Sequence, residues 1–209
     1  MKTFFLLLAG LLLLATTGCE QAQQTKEAYS TLSKLSEAGK TIEADLETSK
    51  NRRAERVKSG DTLSLPYKEL QDYLPAEVSG YTAAAPSGES MTTAGMSFST
   101  AERKFTKDTL EVTVKITDYN GANQLYQGLG ASLALHFESE NDETLTKTAA
   151  LKLDGVKGTE TFHKKTGDAE LTLAAGDRFL VTLNGTKQKD LALLESIAER
   201  MDLEKMARR

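Results

Sequence analysis

The chain has 209 residues with a formal net charge of −4, from 30 acidic against 26 basic side chains, together with one cysteine and no tryptophan. A mildly acidic chain without clustered Lys and Arg is a poor candidate for binding nucleic acid. One cysteine cannot form an internal disulfide, and the lack of tryptophan argues against a large carbohydrate-stacking platform.

The first eighteen residues have the three-part layout of a secretory signal peptide. Met1 and Lys2 form a short basic segment, residues 4–15 are almost continuously apolar, and residues 16–18 are small. The apolar run is shorter than the roughly 20 residues that a transmembrane helix needs. The sequence therefore predicts a signal peptide over 1–18 and not a permanent membrane span.

The chain's only cysteine, Cys19, directly follows this segment. Small residues followed by Gly18-Cys19 resemble the lipobox of bacterial lipoproteins, with one departure, since Thr16 stands where that family prefers Leu. The resemblance implies that the peptide is cut before Cys19, that its thiol carries diacylglycerol and that its amine is acylated. The alternative is an ordinary signal peptide that leaves a free thiol, which would be a liability in an oxidising compartment.

The resemblance also implies a place in the cell envelope. In the family's sorting rule, Asp after the cysteine retains the protein in the inner membrane, whereas this chain has Glu20. The implied location is therefore the outer membrane if the host has two membranes. Several acyl chains would make the anchoring effectively permanent.

Residues 21–59 contain no proline and one glycine, and their apolar residues predict an amphipathic helix. Two interleaved seven-residue series run through the segment, namely Ala28, Leu35, Ile42 and Leu32, Gly39, Leu46. We interpret residues 19–60 as a lipidated cysteine with a helical tether, able to self-associate or to bind an envelope partner through residues 21–59. Alternatively, the apolar stripe packs back on the domain, or part of the segment is disordered.

After Ser59-Gly60-Asp61, residues 61–209 are predicted to form a single domain. A short helix is expected near Pro66, followed by a short extended piece and a loop over residues 80–95. Residues 96–105 and 109–119 alternate as two strands of an antiparallel hairpin. Residues 122–137 have helical spacing, with Gly128 and Gly130 weakening the helix or allowing close approach to the sheet.

Four more strands are predicted between residues 146 and 185, before a last helix that Asp190 caps. The order of elements favours an α+β fold, with a mainly antiparallel sheet of about six strands packed with helices. This order is similar to that of the PsbP/Mog1-type α/β/α sandwich. The similarity concerns the order of elements alone and implies no function.

Neither histidine lies in a metal-ligand spacing, and no thiol is available as a second ligand. We expect His136 to be a half-buried packing residue near the end of a helix, and His163 to face solvent on a strand. The acidic run 138–143 lacks the glycine of a calcium-binding loop and is predicted to be a solvated loop.

No nucleophile elbow or Walker sequence occurs, and Gly128-Leu129-Gly130 lacks the third glycine and the parallel strand of a nucleotide site. We therefore name no catalytic, cofactor-binding or metal-binding residue. A carboxylate pair assembled only by the fold stays open.

The function that these observations favour is a membrane-anchored envelope lipoprotein acting as a non-enzymatic binding or assembly module. One alternative is an envelope hydrolase without a local motif, which predicts Asp or Glu near His136 or His163 in a cleft. The other is a carrier of a small apolar ligand or lipid, which predicts a cavity of several hundred Å³ between sheet and helices.

Overall fold

A computed structural model describes residues 39–40, 43–44, 46–133 and 136–209. The chain divides into two units, Met1–Lys40 and Thr41–Arg209. The signal peptide, Cys19 and the tether up to residue 38 lie outside the described residues. Within the described residues, no helix has the length and apolar character needed to cross a membrane.

Among the described residues, nine strands form one sheet, and all of their pairings are antiparallel. The strands are β1 (Thr82–Ala83), β2 (Ser87–Thr93), β3 (Met96–Lys107), β4 (Leu110–Asp118), β5 (Glu138–Glu140), β6 (Thr144–Thr148), β7 (Val156–His163), β8 (Asp168–Ala175) and β9 (Phe179–Gly185). Their order is β1-β3-β4-β9-β8-β7-β6-β5, and β2 also pairs with β3. One edge of the sheet is thus formed by β1 and β2, and the other by β5.

The helices lie before, between and after these strands. They are α1 over residues 46–59, α2 (Tyr67–Gln71), α3 (Asn123–Leu133), α4 (Ala192–Glu199) and α5 (Leu203–Ala207), with a 3₁₀ turn at Asn120–Ala122 before α3. The side chain of Asp190 accepts a hydrogen bond from the Ala192 N–H at 3.0 Å, which satisfies one free donor at the start of α4.

The core lies on one face of the sheet because side chains alternate between the two faces of each strand. In β4, for example, Val112, Val114 and Ile116 are all fully buried. They belong to one apolar cluster with residues of α2, α4 and α5, which cover this face. On the other face, α3 packs Tyr126 and Leu133 against the sheet. Helices therefore lie on both faces of an antiparallel sheet, and the predicted α+β class is confirmed.

The number of strands differs from the expected six because three strands carry little apolar alternation. Both β1 and β2 lie in the segment expected to end as a loop, and β5 lies in the acidic run. Every residue of β2 is exposed, so its sequence has no buried face to reveal it. Its register instead comes from a two-residue turn, in which Ala94 and Gly95 have φ of 49° and 77° as a type I′ turn requires.

Two predicted helices also differ in extent. The helix expected over 122–137 ends at Leu133, and Phe137 lies outside it with an exposed side chain. The last helix is interrupted between α4 and α5. That break turns Leu203 and Met206 towards the sheet, where both are fully buried.

Candidate functional site

A buried polar cluster joins α1 to one end of the sheet. We call it the arginine cluster, and it consists of Arg53, Arg56, Asp61, Asp118, Asn120, Asp177 and Arg178. Two of its arginines come from the last turns of α1, and the other members come from the residues after α1 and from the chain around the end of β4 and the start of β9. Three arginines face three aspartates, so the cluster is formally neutral.

The link between α1 and the sheet is the ion pair of Arg56 with Asp177. The guanidinium donates two parallel hydrogen bonds to the carboxylate, at 2.9 and 2.6 Å, and both side chains are only 7% exposed. This bidentate geometry is the strong form of a carboxylate–arginine contact. Because water is excluded, the pair requires both partners to be present.

Arg178 forms the second bidentate pair, with Asp118 at the end of β4. Its two bonds to the Asp118 carboxylate measure 3.0 and 2.5 Å, and a third bond reaches Asp61 at 2.9 Å. Burial by itself would lower the pKa of Arg178, but the hydrogen bonds and charges of Asp118 and Asp61 raise it overall. Arg178 therefore stays charged in the folded protein.

Asn120 connects the two pairs. Its side-chain oxygen accepts hydrogen bonds from Arg53 at 2.8 Å and from Arg56 at 2.9 Å. Its amide nitrogen donates to Asp61 Oδ1 at 2.8 Å and to the Leu63 carbonyl at 2.9 Å. Burial is the largest cause of the lowered pKa of Arg53, and the positive charge of Arg56 lowers this pKa further. These contacts satisfy the buried donors and acceptors internally, so the cluster serves as a structural joint.

The sequence contains one signal for this joint, but no buried ion pair was predicted from it. In β4 the inward-facing positions Val112, Val114 and Ile116 are followed, two residues later, by Asp118, which is also fully buried. A carboxylate at a position that the strand period buries requires a cationic partner. The partner itself lies 60 residues away and has no local signature.

A second buried acid lies on β7. The side chain of Glu160 is fully buried, and neither of its oxygens has a hydrogen-bond donor within the described part of the chain. Lys147 on the neighbouring strand lies 2.8 Å from Oε1 in an ion pair. This close contact with Glu160 raises the pKa of Lys147, against the opposing effect of partial burial.

Glu195 on α4 also faces this carboxylate. Burial raises the pKa of Glu195, and contact with Glu160 raises it further. A proton held by Glu195 would supply the donor that Glu160 lacks. Here the fold brings two carboxyl groups together, as the sequence had left open, but Glu160 has no exposed surface through which a substrate could reach it.

The two histidines have different surroundings. His136 is exposed in the connection after α3, so the expectation of a half-buried packing residue is wrong, because α3 ends three residues earlier. His163 is exposed at the end of β7, as expected. It lines a surface depression of about 280 Å³ together with Glu143, Thr144, Lys165, Thr166 and Asp168.

The acidic run is exposed but is not only a loop. Its first three residues form β5, and Asn141 closes a turn by accepting hydrogen bonds from the N–H groups of Glu143 and Thr144, both at 2.8 Å. Glu140 pairs with Lys164 and Glu143 with Lys165, both at 2.6 Å. Within the described residues, no group of three or more His, Cys, Asp or Glu side chains could hold a metal ion.

Comparison of the chain with known proteins found no relative. No protein-family model matches the chain, and no curated protein and no solved structure matches it.

Proposed function

We propose that this protein is a lipid-anchored lipoprotein of the cell envelope, whose α+β domain is a non-enzymatic binding or assembly module held on a helical tether. The observation that carries the proposal is the arginine cluster. Through Arg56 and Asp177 it bonds the helix that follows the anchor segment to the sheet. A tether that ended in a flexible linker would leave the domain free to rotate, whereas this joint holds the domain in one orientation on α1.

The sequence of the anchor segment supports the same proposal. The signal-like residues 1–18, the lone Cys19 and the proline-free segment 21–59 follow one another in the order that an anchored, spaced domain needs. Glu20 after the cysteine favours the outer membrane in a host with two membranes. Within this proposal the partners are the membrane, through the lipid, and an envelope protein or a second copy.

Replacement of Cys19 by Ala tests the anchor. Wild-type protein should incorporate labelled fatty acid and float with membranes, whereas Cys19→Ala should incorporate none and leave the membrane fraction or remain unprocessed. A wild-type protein without label, or a variant that stays processed and membrane-bound, would contradict the proposal. In a host with two membranes, Glu20→Asp should move the protein to the inner membrane.

A hydrolase remains the second candidate, because the surface depression places acids beside His163. Asp168 is the cross-strand neighbour of His163, and Glu143 lies in the same depression. A histidine with a carboxylate can act as a general base. However, the Glu143 carboxylate is already paired with Lys165. If purified protein hydrolyses ester, amide or glycoside probes, and His163→Ala removes that activity while the fold stays intact, the enzyme hypothesis replaces the binding module.

A further inference from the structure

The outer edge of β2 carries unpaired backbone groups. The I′ turn makes Thr93 and Met96 a hydrogen-bonded pair, and such pairs then recur at every second residue along β2 and β3. The N–H and C=O groups of the residues between them therefore point away from β3, at Gly88, Ser90 and Thr92. Within the described residues, β2 pairs with no strand except β3, so three donors and three acceptors line this edge.

The two edges of the same sheet differ in how they are protected. Sheets block unwanted pairing with short edge strands, charged side chains, proline or bulges. The β5 edge has only three residues, two of which are glutamates. By contrast, β2 is seven residues long, pairs with β3 without a bulge and contains one charged residue, Glu89, and no proline. This edge is therefore open to strand addition.

The side chains along β2 define what kind of strand would fit. Glu89 and Met91 lie two residues apart and so share one face of the sheet. Met91 is 43% exposed beside its cross-strand partner Phe98, and Met96 is 40% exposed next to them. Glu89 is exposed and forms no ion pair within the described part of the chain. The edge thus presents an acidic position next to an apolar one.

In the register of full overlap, charge favours a foreign strand over a second copy. If two β2 strands paired antiparallel along all seven residues, the pairing would be centred on Ser90, and each Glu89 would lie opposite Met91 of the other copy. The two Glu89 side chains would then be diagonal neighbours, about 7–8 Å apart, and would repel each other. A strand with Lys or Arg opposite Glu89 and an apolar residue opposite Met91 avoids this repulsion and covers exposed apolar surface.

We propose that the β2 edge binds an extended segment of a partner protein by strand addition, with a basic and an apolar residue at alternate positions that face Glu89 and Met91. Backbone hydrogen bonds to Gly88, Ser90 and Thr92 supply affinity, and the two side-chain positions supply specificity. This inference deepens the proposed function, on which it rests, by naming the chemistry of the partner.

A synthetic peptide tests the edge directly. The probe is a fluorescently labelled Val-Thr-Val-Ser-Lys-Thr-Thr, together with its reversed sequence for a parallel arrangement. It is titrated against the full-length protein in detergent micelles and followed by fluorescence anisotropy. Replacing its Lys by Glu should weaken binding about five-fold, since one attractive charge pair becomes repulsive. Hydrogen exchange should slow at the amides of Gly88, Ser90 and Thr92 when the Lys peptide is added.

Matched variants locate the binding. Thr92→Pro removes one outward N–H without removing a bond to β3, as edge strands tolerate, and should abolish binding. Thr92→Ala retains the N–H and should bind like the wild type. Glu89→Lys should reverse the preference, so that the Glu peptide binds about five-fold more tightly than the Lys peptide. Glu170→Lys, on an interior strand, should leave the preference unchanged. Thermal unfolding verifies that each variant is folded.

The possible results distinguish a partner strand from a second copy of the chain as the occupant of the β2 edge. Equal binding of both peptides, no binding of either, or unchanged binding to a folded Thr92→Pro variant would overturn the proposal. It would also be overturned by a protein that dimerises alone with its β2 amides protected, because the occupant would then be a second copy. These measurements do not require acylation, so failure of the Cys19→Ala experiment and failure of strand addition can be told apart.

Discussion

Arg56 on α1 and Asp177, the second residue before β9, form a bidentate ion pair across 121 positions of sequence, with both side chains almost completely buried. The contact fixes the C-terminal end of α1 to the end of the sheet. It also explains why α1, part of the segment assigned to the tether from sequence, lies in the same compact unit as the sheet.

Arg56→Ala should strongly destabilise the domain. It leaves the Asp177 carboxylate buried without its cation, which costs about 3–5 kcal/mol. Chemical denaturation should show the loss, and hydrogen exchange should become faster throughout α1. Arg52→Ala is the matched control on the same helix, because Arg52 is exposed and makes one long bond of 3.4 Å to the Ala207 carbonyl. Its effect should stay below about 1 kcal/mol. Similar effects of the two variants would contradict the proposed joint.

The two carboxylates that contact Arg178 should differ in importance. Asp118→Ala removes a fully buried bidentate partner and also the acceptor for the Leu65 and Asn120 N–H groups. The expected loss of unfolding free energy is about 3 kcal/mol or more. Asp61 is 41% exposed and makes a single bond to Arg178, so Asp61→Ala should cost about 1 kcal/mol. Urea denaturation at neutral pH distinguishes the two, and an equal loss would argue against this ranking.

Glu195→Gln should change how stability depends on pH. The pKa of Glu195 is raised in the folded state by burial and then by Glu160, with Lys147 opposing and Glu199 adding to the shift. A raised carboxyl pKa means that the folded state holds the proton more tightly. The stabilisation is therefore complete below the unfolded pKa, near 4.5, and is lost as pH rises through the folded pKa.

The variant, which cannot ionise, should consequently match the wild type at acidic pH and exceed it above the folded pKa. Solvent screening at this partly exposed side chain limits the gain to about 1 kcal/mol. Thermal unfolding measured over a pH series would show the two curves separating as pH rises. Parallel curves would mean that Glu195 does not hold a proton next to Glu160.

Two glycine-to-alanine changes should have opposite effects on the stability of the domain. Gly128 lies in α3, and a Cβ there would have no heavy atom within 4 Å, so it does not permit close approach to the sheet. Gly128→Ala should stabilise the protein by up to about 1 kcal/mol through helix propensity. At Gly158 in β7 a Cβ would lie 2.2 Å from the Thr172 carbonyl oxygen. Gly158→Ala should destabilise by about 2 kcal/mol or more. Thermal unfolding of each variant beside the wild type measures both changes in stability.

Local patterns were sufficient for much of the domain. Strand β4 follows from the alternation at Val112, Val114 and Ile116, and the α+β class follows from the order of such segments. The β2 strand could not be found this way because all its side chains are exposed. The extent of α3 was overestimated because the helical spacing continues through Phe137, which the structure leaves exposed beyond the helix end.

By itself, the sequence determined the features that depend on neighbouring residues, namely the signal-like pattern before Cys19, the strand and helix periods and the class of fold. The tertiary structure alone decided which distant charges meet, such as Arg56 with Asp177, and which strand edge has no partner among the described residues, as at β2. The physical reason is that hydrophobic periodicity depends on residues that are close together in the sequence. The partner of a buried charge and the neighbour of a strand depend on how the whole sheet is assembled.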